Sequence, residues 1–239
     1  MQKIWIVAAG LAVCWPGAYA ADIDRDAVTA MINKTFPGIV ADDVGHAAVP
    51  GFYEVVVGTR LVYISTDGKY VLLGDLIDAE KRVNLSEARR AELVSAKLNA
   101  VGPESMIVIG PESAQRYITV FTDVDCPYCA RFHRDVPKLN AAGVEVRYLL
   151  FPRAGVGSKS YERAVGVWCA DDPADTMGIA KAGGEVAPKK CDDPVKEHLA
   201  LGRAVGVQGT PAIYLEDGTM IPGYLPPEKL FAQMKHTPQ

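Results

Sequence analysis

The fold is decided largely by one stretch of the chain, which reads Tyr117-Ile118-Thr119-Val120-Phe121-Thr122-Asp123-Val124-Asp125-Cys126-Pro127-Tyr128-Cys129. Its first five residues are apolar or β-prone and predict a buried strand. The pair of cysteines follows directly and predicts the start of a helix. Asp125 or Cys126 can cap that helix, and Pro127 suits its first turn, where a missing N–H costs nothing. The stretch therefore predicts a strand that leads into a helix beginning with a C-x-x-C motif.

This placement has a chemical consequence for the two cysteines. The free N–H groups and the positive dipole at a helix N-terminus favour a thiolate, so the pKa of the first cysteine should fall. Cys126 is thus predicted to attack, while Cys129, deeper in the helix, is predicted to resolve the mixed disulfide. The alternatives are a zinc ligand pair and an inert disulfide. Zinc usually needs a second such pair, which the chain lacks, and we expect His133 to be solvated rather than in contact with Cys126.

The first 20 residues predict export from the cytoplasm. Residues 1–20 have the pattern of a secretory signal peptide, with Lys3 at the start, an apolar stretch from Ile4 to Val13 and a small–x–small end. The apolar stretch is shorter than the roughly 20 residues that span a bilayer. Lipidation at Cys14 is the alternative, disfavoured because Val13 before it is not small. An oxidising compartment is therefore expected.

Four cysteines remain after the predicted cleavage: Cys126, Cys129, Cys169 and Cys191. An even number in an exported chain suggests two disulfides, and three connectivities are possible. A local pair plus a distant pair is the simplest. For Cys169 and Cys191 we favour a structural disulfide over a second redox centre. Gly183-Gly184 and several lysines lie between them and suggest a surface loop.

The pattern divides the rest of the chain into three parts, and the overall fold class is α+β. A small α+β domain is predicted over residues 21–83, with a helix at 24–34 and strands at 52–57, 61–65 and 70–73. Asp67-Gly68 predicts a hairpin turn between the last two strands, because glycine tolerates positive φ. So small a core is marginal alone, and edge strands can pair, so this unit is predicted to be a dimerisation domain.

A partly solvated linker helix is predicted next, over residues 84–102, with Ser86 as its N-cap. Residues 103–239 then alternate strands with helices, which favours an open α/β sheet covered by helices. Strands are predicted at 106–109, 117–121, 144–151, 212–215 and 219–221, and helices from 126, at 160–170 and at 195–205.

Charge excludes one class of function. The formal net charge is −4, and removing residues 1–20, in which Lys3 is the one charged residue, makes it −5. No basic stripe is present to bind nucleic acid, so no nucleic-acid partner is expected. The cysteine chemistry needs no metal and no organic cofactor.

Several stretches resemble the DsbC family of bacterial periplasmic disulfide isomerases, of which DsbG is a close relative. They are the strand before the C-x-x-C, Val146-Arg147-Tyr148-Leu149 with Phe151-Pro152-Arg153, Gly206-Val207-Gln208-Gly209-Thr210-Pro211-Ala212, and Pro222-Gly223-Tyr224. Trp168-Cys169 and Cys191 match the structural disulfide of the family. The similarity extends over essentially the whole chain after residue 20.

The resemblance implies a thioredoxin-like catalytic domain in which Thr210 and a cis Pro211 form a substrate-binding loop opposite the cysteines. Taken alone, a proline at a strand entry can be an ordinary edge device. The resemblance further implies a V-shaped periplasmic homodimer whose cleft holds misfolded exported proteins, a DsbD-type membrane reductant and chaperone activity. The alternatives are a DsbG-like or DsbA-like oxidoreductase and a protein that is chiefly a chaperone. The dipeptide Pro127-Tyr128 departs from the Gly-Tyr that is usual in the family.

Overall fold

A computed structural model describes residues 25–38 and 40–235, so the predicted signal peptide lies outside the described residues. The first elements are α1 (Arg25–Thr35), β1 (Asp43–His46), β2 (Phe52–Val57), β3 (Arg60–Ser65) and β4 (Val71–Leu72). The four strands form an antiparallel sheet in the order β1-β2-β3-β4, and Val28 and Ile32 of α1 are buried in the same small core as Val55 and Ile64. The predicted hairpin between β3 and β4 is confirmed, with Gly68 at a φ of 73°.

A short ribbon of β5 (Ile77–Asp78) and β6 (Val83–Asn84) leads into α2 (Leu85–Asn99). The predicted linker helix is present, but the prediction that Ser86 caps it is wrong. Asn84 is the N-cap, and its side chain accepts a hydrogen bond from the Glu87 backbone N–H at 2.9 Å. Ser86 is buried, and its hydroxyl bonds the Tyr63 hydroxyl at 2.6 Å and accepts from the Leu76 N–H at 2.7 Å. The buried tyrosine needs a polar partner, and Ser86 supplies it.

The remainder of the chain forms a second, larger domain. After a 3₁₀ turn at Pro103–Ser105, its elements are β7 (Ile107–Ile109), β8 (Arg116–Thr122), α3 (Pro127–Ala141), β9 (Val144–Leu150), α4 (Lys159–Trp168), α5 (Pro173–Lys181), α6 (Val195–Ala204), β10 (Ala212–Tyr214), β11 (Met220–Pro222) and α7 (Pro227–Lys235). The sheet order is β11-β10-β8-β9-β7, with β8 and β9 parallel and the other neighbours antiparallel. An open sheet between helices is what the alternating pattern predicted.

Helices cover both faces of this sheet. Residues of α3, α4, α5 and α7 share one core with Ile118, Val120 and Tyr148 of the central strands. On the other face, Val94 and Leu98 of α2 are buried in the same cluster as Phe121 and Leu149. The last two turns of α2 therefore belong to the packing of the second domain. The precise limits of the three predicted parts remain predictions.

The segment between Cys169 and Cys191 is not simply a surface loop, and that part of the sequence-based prediction is wrong. It contains α5, which begins with Asp172 as N-cap and Pro173 in the first turn, and it buries Met177. An Asp-Pro pair followed by an apolar residue four positions on is a helix-start signal. The glycines and lysines that suggested a loop lie mostly after residue 181, beyond the helix.

Candidate active site

The two cysteines lie where the end of β8 meets the start of α3. Cys126 is the N-cap of α3, and its Sγ accepts a hydrogen bond from the Cys129 backbone N–H at 3.4 Å. Its own N–H donates to the Asp123 carbonyl at 3.1 Å, which holds the loop between strand and helix. Both cysteines are free thiols. The sulfur of Cys126 is thus placed at the positive end of the helix dipole.

A second loop lies against Cys126, formed by Thr210 and Pro211. The peptide bond between Thr210 and Pro211 is cis, and the Cys126 Sγ–H donates to the Thr210 carbonyl at 3.3 Å. The next residue, Ala212, begins β10 and pairs with Phe121 of β8, so strand pairing fixes the loop beside the cysteines. The Thr210 hydroxyl is buried and finds no hydrogen-bond partner within ordinary geometry among the described residues.

The pKa of the Cys126 thiol lies below its ordinary value of 9.0, although burial alone raises it. The Thr210 side chain, the backbone N–H of Cys129 and the Cys129 side chain together outweigh the effect of burial, and the Arg153 charge adds a smaller lowering. The pKa of Cys129 is raised instead, because burial dominates over the lowering by Lys181, Thr210 and Thr122. Surface exposure does not separate the two, at 2% for Cys126 and 1% for Cys129. The depth of each sulfur below the surface and the hydrogen bonds around it do separate them.

Two acidic residues before the cysteines are held in ion pairs. Asp123 is buried, and one of its oxygens accepts from both the backbone N–H and the Nε of Arg153, at 3.0 and 2.9 Å. Its other oxygen accepts from the Asp125 N–H at 3.0 Å. Asp125 pairs with Arg163. The bonds of Asp123 indicate that its carboxylate shapes the turn between β8 and α3.

A buried polar cluster lies behind Cys129, and sequence reasoning missed most of it. The Lys181 ammonium donates to the Thr122 hydroxyl at 2.7 Å and to the Asp123 carbonyl at 2.6 Å. Tyr148 is fully buried, and its hydroxyl lies 3.1 Å from Nδ1 of His133. The expectation that His133 is solvated is therefore wrong, because the ring packs half-buried against this tyrosine. The helical signal of α5 was the one clue in the sequence that could have placed Lys181.

Cys169 and Cys191 are joined by a disulfide with a Cα–Cα distance of 5.7 Å. It links the C-cap of α4 to the segment before α6 and so encloses α5. Within residues 25–38 and 40–235, no cluster of three or more potential metal ligands is present. No helix in the same part of the chain is long and apolar enough to cross a membrane.

Two family models match the chain. A model described as disulfide bond isomerase protein N-terminal domain matches residues 19–87, and one described as thioredoxin-like domain matches residues 103–238. Among solved structures, a disulfide interchange protein from Neisseria gonorrhoeae superposes with a TM-score of 0.51 at 28% identity. That match covers 56% of this chain and 96% of the other.

Curated relatives extend the match over most of the chain, and two of them are called thiol:disulfide interchange protein DsbC. The protein from Escherichia coli K12 is 36% identical over 193 residues, covering 81% of this chain and 80% of the relative. The one from Salmonella typhimurium is 33% identical over 234 residues, covering 97% and 95%. Both domains and the C-x-x-C geometry agree with these matches. The chain therefore belongs to the DsbC family of thiol–disulfide isomerases, which have a thioredoxin-like catalytic domain and act through cysteine redox chemistry.

Proposed function

We propose that this isomerase rearranges wrong disulfides in exported proteins, with Cys126 as the attacking sulfur and Cys129 as the resolving one. The observation that carries this assignment is the position of Cys126 as the N-cap of α3, where its sulfur accepts the Cys129 N–H and its pKa is lowered, while burial raises the pKa of Cys129. A thiolate is the nucleophile in disulfide exchange, so the sulfur with the lowered pKa is the one poised to attack.

The Cys126 thiolate attacks one sulfur of a substrate disulfide, and the other substrate sulfur leaves as a thiolate. A different substrate thiolate can then attack the mixed disulfide, which forms a new substrate pairing and returns Cys126 as a thiolate. If none arrives, Cys129 attacks Cys126 and releases the substrate reduced. The enzyme then holds a Cys126–Cys129 disulfide, and two electrons from a membrane reductant of the DsbD type restore it.

The loop of Thr210 and Pro211 is the proposed substrate-binding element. An extended substrate chain can pair with the backbone of such a loop as an added strand. The Thr210 carbonyl already accepts a bond from Cys126, so a substrate bound here has its sulfur next to the nucleophile. Cys169 and Cys191 take no part in exchange in this proposal. Their disulfide is structural.

A homodimer is proposed through the N-terminal sheet. β4 pairs with β3 only at Tyr63 and Ile64, and within the described residues no strand covers that side of β3 from Arg60 to Val62. Such an edge can pair with a second copy. A mostly apolar cavity of about 420 Å³ lies beside it, lined in part by Leu61, Val62 and the exposed Leu73.

Exposed apolar side chains outside this cavity support a chaperone activity. Tyr70 and Ile77, before and after β4, are exposed apolar side chains that do not line it. Exposed apolar surface can mark sites that bind other proteins. Two such surfaces, one on each protomer, can hold an unfolded substrate through several exchanges. The proposed location is the periplasm, where exported substrates carry disulfides.

The test uses the full chain without residues 1–20 and a ribonuclease with scrambled disulfides. We expect recovery of ribonuclease activity with the wild type and loss of that catalysis with Cys126→Ser. Light scattering should give about twice the mass of one chain. If Cys126→Ser suppresses aggregation but restores no activity, chaperone and isomerase functions are separable. A wild type that only reduces the substrate would favour the thiol reductase, and undiminished catalysis by Cys126→Ser would contradict the proposed nucleophile.

A further inference from the structure

A buried lysine lies behind the resolving cysteine. Lys181, the last residue of α5, is 6% exposed, yet its side chain ends in an amine that prefers water when charged. It donates to the Thr122 hydroxyl and to the Asp123 carbonyl. Among the described residues no carboxylate lies within 4.0 Å of its Nζ, and the two nearby acids are engaged with arginines.

Cys129 lies near enough to the amine for the charge of each group to influence the other. The Lys181 charge is the largest influence that lowers the pKa of this thiol, and the Thr122 hydroxyl lowers it as well. In return, Cys129 heads the groups that raise the pKa of Lys181 against the effect of burial. Each group thus stabilises the charged form of the other, and the Thr122 hydroxyl is bonded to the amine of this pair.

The other titratable groups around the pair do not compete for this role. They are Asp123 and Asp125 before α3, Cys126 and His133 of α3, Tyr148 of β9, and Arg153 after β9. Burial lowers the pKa of His133 to about 4 and raises that of Tyr148 well above its ordinary value, so both are neutral near pH 7. Burial lowers the pKa of Lys181 to about 8, so a useful fraction of the amine is neutral there.

We propose that Lys181, through the Thr122 hydroxyl, takes the proton that Cys129 must lose before it resolves the mixed disulfide. The proposal rests on the assigned roles of Cys126 and Cys129. The Cys129 thiol gives its proton to the neutral amine, and its thiolate attacks Sγ of Cys126. The Cys126–Cys129 bond forms as the bond from Cys126 to the substrate sulfur breaks. The substrate leaves as a thiolate and takes up, through solvent, the proton that the ammonium releases.

The resolving step can be followed alone with 5,5′-dithiobis(2-nitrobenzoate) and the reduced full chain. Attack by Cys126 releases one coloured thiolate, and attack by Cys129 on the resulting mixed disulfide releases the second. In Lys181→Met we expect the second phase to slow about tenfold at pH 7. The midpoint of its pH profile should rise by about one pH unit, because a rise of about one unit in the pKa of Cys129 lowers its thiolate fraction about tenfold. The first phase should stay within about twofold.

Thr122→Val tests the relay, because it removes the hydroxyl and keeps the shape. Its second phase should slow in the same direction, and the double variant with Lys181→Met should be no slower than the slower single variant. Lys189→Met is the matched control: this partly exposed lysine pairs with Asp171, and its loss should change neither phase.

An unchanged second-phase pH profile in a folded Lys181→Met chain would overturn the proposal. If that variant does not fold, the pH profile of the second phase is measured in Lys181→Gln and Thr122→Val instead, and an unchanged profile in both would overturn the proposal. Equal slowing in Lys189→Met would also overturn it. A failure of the underlying assignment looks different, because Cys126→Ser would then keep a fast first phase whatever Lys181 does.

Discussion

Replacing Arg153 by Met should both destabilise the protein and weaken its nucleophile. Arg153 is the charged partner of Asp123, whose side chain is 3% exposed, while that of Arg153 is 47% exposed. Removing one partner of a fully buried pair costs about 3–5 kcal/mol. Here the arginine is half in water, and the Asp123 oxygens keep two backbone donors. We therefore expect a loss of about 1.5–2 kcal/mol, the lower part of the range for a hydrogen bond to a charged group.

Two assays measure the two effects. Urea unfolding at pH 7, with the Cys169–Cys191 bond intact, gives the free energy. The rate of Cys126 alkylation by iodoacetamide against pH gives the thiol pKa. The alkylation midpoint should move up by less than about one pH unit, because the Arg153 charge ranks below the hydrogen bonds among the influences on Cys126.

Lys138→Met is the control for Arg153→Met. Lys138 pairs with Asp135 on α3, but its side chain is largely exposed. Loss of an exposed pair should cost at most about 1 kcal/mol and leave the alkylation profile unchanged. The reasoning would be refuted if Arg153→Met matched this control in both assays, since the buried pair would then support neither the fold nor the thiolate.

Three further predictions concern the scaffold. Replacing Cys169 and Cys191 by Ala should lower the free energy of unfolding by about 2–4 kcal/mol, and it should slow the Cys129 step because the bond encloses α5; peptide mapping that found either cysteine free in the wild type would contradict this. Burial lowers the pKa of His198 to about 4. Between pH 6.5 and 4 the unfolded chain therefore binds a proton that the folded chain does not, and the free energy of unfolding should decrease as the pH is lowered through this range. His198→Gln should flatten that fall by up to about 3 kcal/mol, and equal slopes in the two proteins would contradict the assignment. Gly218→Ala should cost about 1–3 kcal/mol because its Cβ would overlap a carbonyl of α2, whereas Gly143→Ala, at a similar positive φ with open space, isolates the backbone strain; equal losses by thermal melting would argue against the contact.

Local patterns in the sequence predicted most of the fold. The C-x-x-C after an apolar strand predicted the strand–helix junction, because cap, proline and periodicity all act within a few residues. The Asp67-Gly68 turn was predicted for the same reason. What local patterns could not decide was which of two nearby polar residues caps α2. That choice depends on Tyr63, which is distant in sequence and whose hydroxyl forms a hydrogen bond with the Ser86 hydroxyl.

The cluster behind Cys129 shows a second limit. Lys181 follows the C-x-x-C by more than 50 residues, and the glycines and lysines around it suggested a solvent-exposed loop. Only the packing of α5 against α3 brings the amine under β8, where it meets Thr122. The prediction for His133 failed for the same reason. Its spacing of seven residues from Cys126 gives its position on the helix but does not reveal that Tyr148 of β9 lies beside it. The short β1 strand was missed because four residues with a glycine carry little β signal.

The docking of α2 illustrates a third limit. Its sparse apolar residues predicted a helix that is partly solvated. Val94 and Leu98 are nevertheless buried against the second sheet, and the Ser95 hydroxyl donates to the Glu216 carbonyl at 2.7 Å. Burial of two side chains in one stripe is enough to attach a helix whose other face is charged. A fragment meant to test the catalytic domain alone should therefore begin near residue 84 rather than near residue 103.

One measurement can identify the attacking sulfur. A Cys129→Ser chain is incubated with a disulfide-bonded protein substrate, quenched with acid and analysed by mass spectrometry of its peptides. The account predicts that stable mixed disulfides accumulate and that every adduct maps to Cys126, while Cys126→Ser under the same conditions accumulates none. Adducts on Cys129 in the Cys126→Ser chain, with none on Cys126 in the Cys129→Ser chain, would contradict it.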